Sequence, residues 1–133
     1  MPFRVDTTTK PGVLWLVMSG RVDAAEMTAF VAAHNRAIDA FRGADYRVFC
    51  DIRGLTPLSP EATAEFERAK AYSAAAPNFR GSAVLTSSSL VGLQHQRTSV
   101  SSGVMSSELI SDDEARCWKH LATVNRAASA LAP

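Results

Sequence analysis

Residues 46–52, YRVFCDI, constrain the fold most. Val48, Phe49 and Cys50 are apolar in succession, whereas a strand with one wet face would alternate. A β-rich run of this kind belongs in the centre of a sheet covered on both faces. The chain around it must therefore supply flanking strands and covering helices.

The flanking segments have that character. FRVDTT at 3–8 and VLWLVMS at 13–19 are separated by the turn residues Lys10, Pro11 and Gly12, which predicts an opening antiparallel hairpin. Asp23 and Glu26 have the spacing of a capping box. After them Met27, Phe30, Val31, His34, Ile38 and Phe41 recur at helical spacing, predicting a helix over 24–42 stopped by Gly43. Beyond the central strand, Ser59 is placed to cap a helix that starts with Pro60, where a missing N–H costs least. This second helix turns Ala62, Phe66, Ala69 and Ser73 to one face and ends before Pro77.

SAVLT at 82–86 predicts the next strand. Leu90, Leu93, Arg97 and Val100 then repeat at helical spacing up to Gly103, so the third helix is expected to turn that stripe inward. SSELI at 106–110 predicts a short last strand. The pair Ser111 and Glu114 opens a final helix with Ala115, Trp118, Leu121, Ala122 and Val124 facing the core. The order β-β-α-β-α-β-α-β-α predicts an α/β fold, a mostly parallel sheet of about five strands with an antiparallel edge strand and about four helices. At 133 residues the chain is expected to form a single domain over 1–133.

Composition narrows the function. Fourteen Lys and Arg balance thirteen Asp and Glu, which provides no electrostatic basis for a nucleic acid or an anionic membrane as partner. The longest apolar run, GVLWLVM at 12–18, falls far short of the roughly 20 residues of a membrane-spanning helix. The N-terminal residues lack the apolar core of a signal peptide, so a cytoplasmic location is expected. Cys50 and Cys117 have no CxxC spacing and are read as two buried, reduced thiols.

No convergent catalytic set is visible. His34, His95 and His120 fall on three predicted helices without an i, i+4 partner, so no metal site is expected. Asp51 lacks the companion acids that a Mg²⁺-dependent phosphoacceptor needs, and is expected to accept hydrogen bonds from its own loop. With no glycine-rich phosphate loop and no nucleophile elbow, neither enzymatic activity nor a cofactor is expected.

Three stretches carry a family resemblance: WLVMSGRVDAAEMTAF, RVFCDIRGLTPLSPEAT and SSGVMSSELISDDEARCW. In that order they resemble the STAS family of sulfate-transporter and anti-sigma-factor-antagonist domains, especially its small single-domain cytoplasmic members. The resemblance spans about residues 12–125. It implies a regulatory protein-interaction module whose partner, a kinase or another signalling protein, docks on loop 53–59 and the start of the second helix. The residues so implicated are Arg53, Thr56, Leu58, Ser59, Pro60 and Glu61, with Leu58 as the exposed apolar anchor. In regulatory members this loop carries a phosphorylated Ser or Thr, yet the aligned position here is Pro60, which has no hydroxyl. Phosphorylation would have to use Thr56 or Ser59, and Ser59 is already explained as a helix cap.

The alternative reading is a module for a small apolar or lipid-like ligand, with a cavity lined by Phe66, Leu90 and Leu93 between helices two and three and the sheet. A homodimer is left open by the sequence.

Overall fold

The computed structural model describes residues 2–127. Its elements are β1 (Phe3–Asp6), β2 (Val13–Gly20), α1 (Ala24–Ala40), β3 (Tyr46–Leu55), α2 (Pro60–Ala75), β4 (Phe79–Leu85), α3 (Ser89–Ser102), a 3₁₀ turn (Met105–Ser107), β5 (Glu108–Ser111) and α4 (Glu114–Thr123). The five strands form one sheet in the order β1-β2-β3-β4-β5. β1 is antiparallel to β2, and all later pairs are parallel. The predicted α/β class, strand count and antiparallel edge are all present.

This strand order dictates the layering. Right-handed crossovers that always step to the next strand in the same direction place α1, α2 and α3 on one face of the sheet. α4 follows the last strand and covers the other face. On the three-helix side Met27, Phe30, Ile38, Ala62, Phe66 and Val91 pack with Leu14, Leu16, Val48, Cys50 and Ile52. On the α4 side Phe49, Ala83, Leu85, Cys117 and Leu121 form a smaller cluster joined by Trp15 and Trp118. β3 contributes alternate residues to both, which is why its sequence reads as a continuous apolar run. Both cysteines are free and buried.

Local signals account for the helix starts. The Asp23 carboxylate accepts from Glu26 N–H at 2.7 Å while the Glu26 carboxylate accepts from Asp23 N–H at 3.0 Å, closing the expected capping box on α1. Ser59 Oγ accepts from Ala62 N–H at 3.1 Å, with Pro60 as the first residue of α2.

Two helix faces differ from expectation. α3 buries Val91, His95, Thr98 and Ser99, whereas Leu90, Leu93 and Val100 are each more than half exposed. The apolar stripe thus faces outward, because the inward stripe finds polar partners on α2 and β5, described below. α4 is capped by Asp113, whose carboxylate accepts from Arg116 N–H at 3.2 Å; Ser111 instead closes β5 and accepts from Asp113 N–H. Its buried residues are Cys117 and Leu121, while Ala115 and Ala122 are exposed and Trp118 and Val124 half-buried. Element ends also move. β1 stops at Asp6, whose carboxylate turns the chain by accepting from Thr8 and Thr9 N–H. β3 runs on to Leu55, β4 starts at Phe79, and 106–107 lie in the 3₁₀ turn before β5.

Gly81 is required by packing. At its φ of +146° a Cβ would stand 2.5 Å from Val124 Cγ1, so only glycine lets the chain after α4 lie against β4. That segment is pinned by Arg47, whose guanidinium donates twice to the Val124 carbonyl, at 3.0 and 2.8 Å.

Candidate functional site

The loop between β3 and α2 lies at the carboxyl ends of the parallel strands, the usual place for binding loops in such sheets. Several of its polar groups, and those of the strand end before it, are tied to neighbours. Arg53 is exposed and forks onto Asp51, with Nε 3.1 Å from Oδ1 and Nη2 2.8 Å from Oδ2; a second carboxylate, Glu114 of α4, lies 3.8 Å away. Asp51 also accepts from Arg53 N–H at 3.1 Å, the loop contact expected of it. Partial burial pushes the Asp51 carboxyl up, but the Arg53 hydrogen bonds outweigh it and hold the group below its ordinary value.

Thr56 reaches across to the end of β2, where its N–H and its hydroxyl both donate to the Gly20 carbonyl, at 3.0 and 3.1 Å. Leu58 is half-buried against the core and is not the exposed anchor expected of it. The Gln94 amide of α3 clamps its backbone, accepting from Leu58 N–H at 2.9 Å and donating to its carbonyl at 3.0 Å. Ser87 donates to the Arg53 carbonyl at 2.7 Å. Pro57, Ser59, Pro60 and Glu61 remain exposed. Beside them runs an open groove of about 670 Å³, walled by Arg21, Val22 and Asp23 at the start of α1 and by Thr56, Pro57 and Leu58. The six implicated residues therefore share one end of the molecule, with Leu58 turned inward.

A second constellation lies beneath α3, and the sequence reading did not assemble it. Lys70 of α2 points under α3, where its ammonium donates to the His95 carbonyl at 3.2 Å and to the Ser99 hydroxyl, and lies 3.2 Å from Glu108 Oε2. Ser99 donates onward to Glu108, as does Ser82 at 3.2 Å. The group encloses a cavity with about 30 Å³ of free space, lined by His34, Cys50, Phe66, Lys70, His95 and Glu108 among others. His95 Nε2 is buried and has no hydrogen-bond partner among the described residues. Two of the three histidines thus converge on one cavity, whereas the third, His120, bonds the Ser107 carbonyl. Among the described residues no cluster of three His, Cys, Asp or Glu is placed to hold a metal.

Burial sets the protonation here. It drives His95 well below its ordinary value, with the Lys70 charge adding to the effect. It also lowers His34, and it lowers Lys70 despite the opposing Glu108. The Cys50 thiol is pushed up to about 12 by burial, which makes it a packing group rather than a nucleophile. The signal for Lys70 was present: it sits four residues after Phe66 and three before Ser73, both on the inward stripe of α2.

The three candidate pocket residues separate. Phe66 lines the cavity, while Leu90 and Leu93 lie on the outside of α3 and do not touch it. Among the described residues no helix is long and apolar enough to cross a membrane.

No family model matches the chain, and no curated protein matches its sequence. Among solved structures it is similar to an uncharacterized protein of the DUF3478 family with a SpoIIAA-like fold from Shewanella loihica PV-4. The two share 12% identity over 90% of this chain and 91% of the other, with a TM-score of 0.65. At that identity the likeness speaks to architecture alone. Together with the strand order and the placement of the four helices, it establishes that this chain has the SpoIIAA-like, STAS-type fold.

Proposed function

We propose that the chain is a non-enzymatic regulatory module that works by protein–protein contact, docking a signalling protein such as a kinase on loop 53–59 and the start of α2. The observation that carries this reading is the bracing of the loop: Thr56 on Gly20, the Leu58 backbone on Gln94, and the Arg53 carbonyl on Ser87. A loop ordered before contact loses little conformational entropy on binding, which favours a fixed docking surface. Pro60 stands where regulatory relatives carry a phosphoacceptor, so the surface is read as one that phosphorylation does not switch. The exposed Pro57 and Glu61 are the residues that would meet the partner, with Leu58 supporting them from below.

The test is site-specific photocrosslinking in the native cell. A photoreactive residue at 57 or 61 should capture one and the same protein, while one at Arg68, 77% exposed on the outer side of α2, should not. Glu61→Lys should remove the capture. Equal labelling from all three positions, or stoichiometric phosphate on Thr56 or Ser59, would count against the proposal.

The alternative, a small apolar or lipid-like ligand, draws no support from the cavity beneath α3. Its free space of about 30 Å³ suits one or two waters. Drug-sized ligands occupy roughly 300 Å³ or more.

A further inference from the structure

β5 is the outermost strand on one side of the sheet. One bond gives its orientation: the Ser111 carbonyl accepts from Thr86 N–H at 3.0 Å. Ser111, and Leu109 two residues before it, therefore turn their N–H and C=O toward β4, and Glu108 and Ile110 turn theirs outward. Glu108 N–H is taken by the Met105 carbonyl. The N–H and C=O of Ile110 have no partner among the described residues. Free edges are usually blunted by Lys, Pro or a bulge. The opposite edge, β1, is preceded by Pro2 and carries exposed Arg4, whereas β5 reads Glu-Leu-Ile-Ser, with no Lys or Pro, and is protected by its four-residue length and the inward Glu108.

The apolar surface gathers along the same edge. Four of the five large apolar side chains exposed among the described residues, Leu90, Leu93, Val100 and Met105, lie on α3 and the turn after it. Leu93 and Met105 join Ile110 in lining an open groove of about 540 Å³ between α3 and β5.

We infer that this edge is an interface with a second copy of the chain, formed by antiparallel pairing of β5 with β5 about a two-fold axis at Ile110. In an antiparallel pair, opposite residues of the hydrogen-bonded kind exchange both N–H···O bonds. Ile110 opposite Ile110 therefore satisfies the free groups of both copies at once. The Ile110 side chains enter the two grooves, and Leu93 and Met105 of each copy close over the seam.

Charge permits this self-pairing. The only ionisable side chain lining the groove is Glu108; pairing about Ile110 sets the exposed Asp112 of one copy opposite Glu108 of the other, and the Glu108 charge is balanced by Lys70 at 3.2 Å beneath α3. The exposed stripe supports it as well: Leu90, Leu93, Val100 and Met105 are each at least half exposed and lie on one helix face and the turn after it, and contiguous apolar patches of this kind mark interfaces. A two-fold contact of this kind closes on itself and yields a dimer rather than a filament.

Sedimentation velocity on the full chain from about 1 to 100 µM tests the inference, since a reversible dimer responds to concentration. The wild type is expected to sediment as a dimer in the upper part of that range. Ile110→Pro removes the outward N–H together with a half-buried side chain packed against the core, and should give a less stable but folded monomer throughout. Leu93→Asp, on an exposed helix face, should keep the far-ultraviolet spectrum of the wild type and weaken the dimer at least tenfold. A wild type that stays monomeric across the range overturns the inference, as does either variant, shown to be folded, dimerising as tightly as the wild type. Neither substitution touches loop 53–59, so the outcome is independent of partner docking there.

Discussion

Lys70 Nζ lies 3.2 Å from Glu108 Oε2, with both side chains more than nine-tenths buried, and this ion pair ties α2 to β5 beneath α3. Removing one partner strands a charge in the core. Lys70→Met or Glu108→Leu alone should each cost about 3–5 kcal/mol, whereas the double substitution should cost far less than their sum. Urea denaturation of the three variants measures this, and additive losses would show that the pair is not coupled.

The depressed protonation of His95 and His34 makes stability pH-dependent. Their folded-state values lie below the ordinary 6.5, so the folded protein binds fewer protons than the unfolded chain just below that pH. Stability is then complete above about 6.5 and falls as the pH drops through the window down to the folded-state values. Each histidine contributes a slope on the order of 1 kcal/mol per pH unit. Urea midpoints between pH 7.5 and 5 should fall accordingly, and His95→Gln should flatten the slope whatever it does to the absolute midpoint. An unchanged slope in that variant would exclude His95 as the titrating group.

The outer face of α3 and the core beneath it should respond differently to truncation. Leu90→Ser, on the exposed stripe, should change stability by no more than about 0.5 kcal/mol. Phe66→Ala, which opens the core beneath the helix, should cost about 3–5 kcal/mol. Thermal or urea unfolding distinguishes them at low protein concentration. A large loss from Leu90→Ser would return the apolar stripe to the inside.

Trp118 stacks on Phe49 with ring centroids 4.2 Å apart and planes 2° from parallel, and Lys10 lies over its ring at 4.1 Å. It is half-buried, so Trp118→Ala should cost less than Phe66→Ala although a larger side chain is removed. In a Trp15→Phe background its fluorescence maximum should lie between those of fully buried and fully exposed indole, and should shift on unfolding.

Gly81→Ala should destabilise by roughly 1–3 kcal/mol, because the new methyl collides with Val124 and the residue must hold a positive φ. Val124→Ala would relieve the collision, so the double variant should recover part of the loss. The order of urea midpoints across the three proteins reads this directly.

The element order, the mixed five-stranded sheet and the inward faces of α1 and α2 were legible because they rest on local properties: apolar period, turn residues, and the caps at Asp23 and Ser59. The candidate loop was legible in position but not in exposure. Leu58 is turned inward by Gln94, a residue 36 positions away whose role no local pattern signals. For α3 two stripes competed, and hydrophobicity favoured the one that ended outside. The inward stripe prevailed because Lys70 and Glu108, on α2 and β5, satisfy Ser99 and the His95 carbonyl. Whether a polar residue can be buried depends on partners that only the assembled fold brings within hydrogen-bond reach. The sequence by itself determined the layers of this protein, and the tertiary structure decided which polar groups could be enclosed between them.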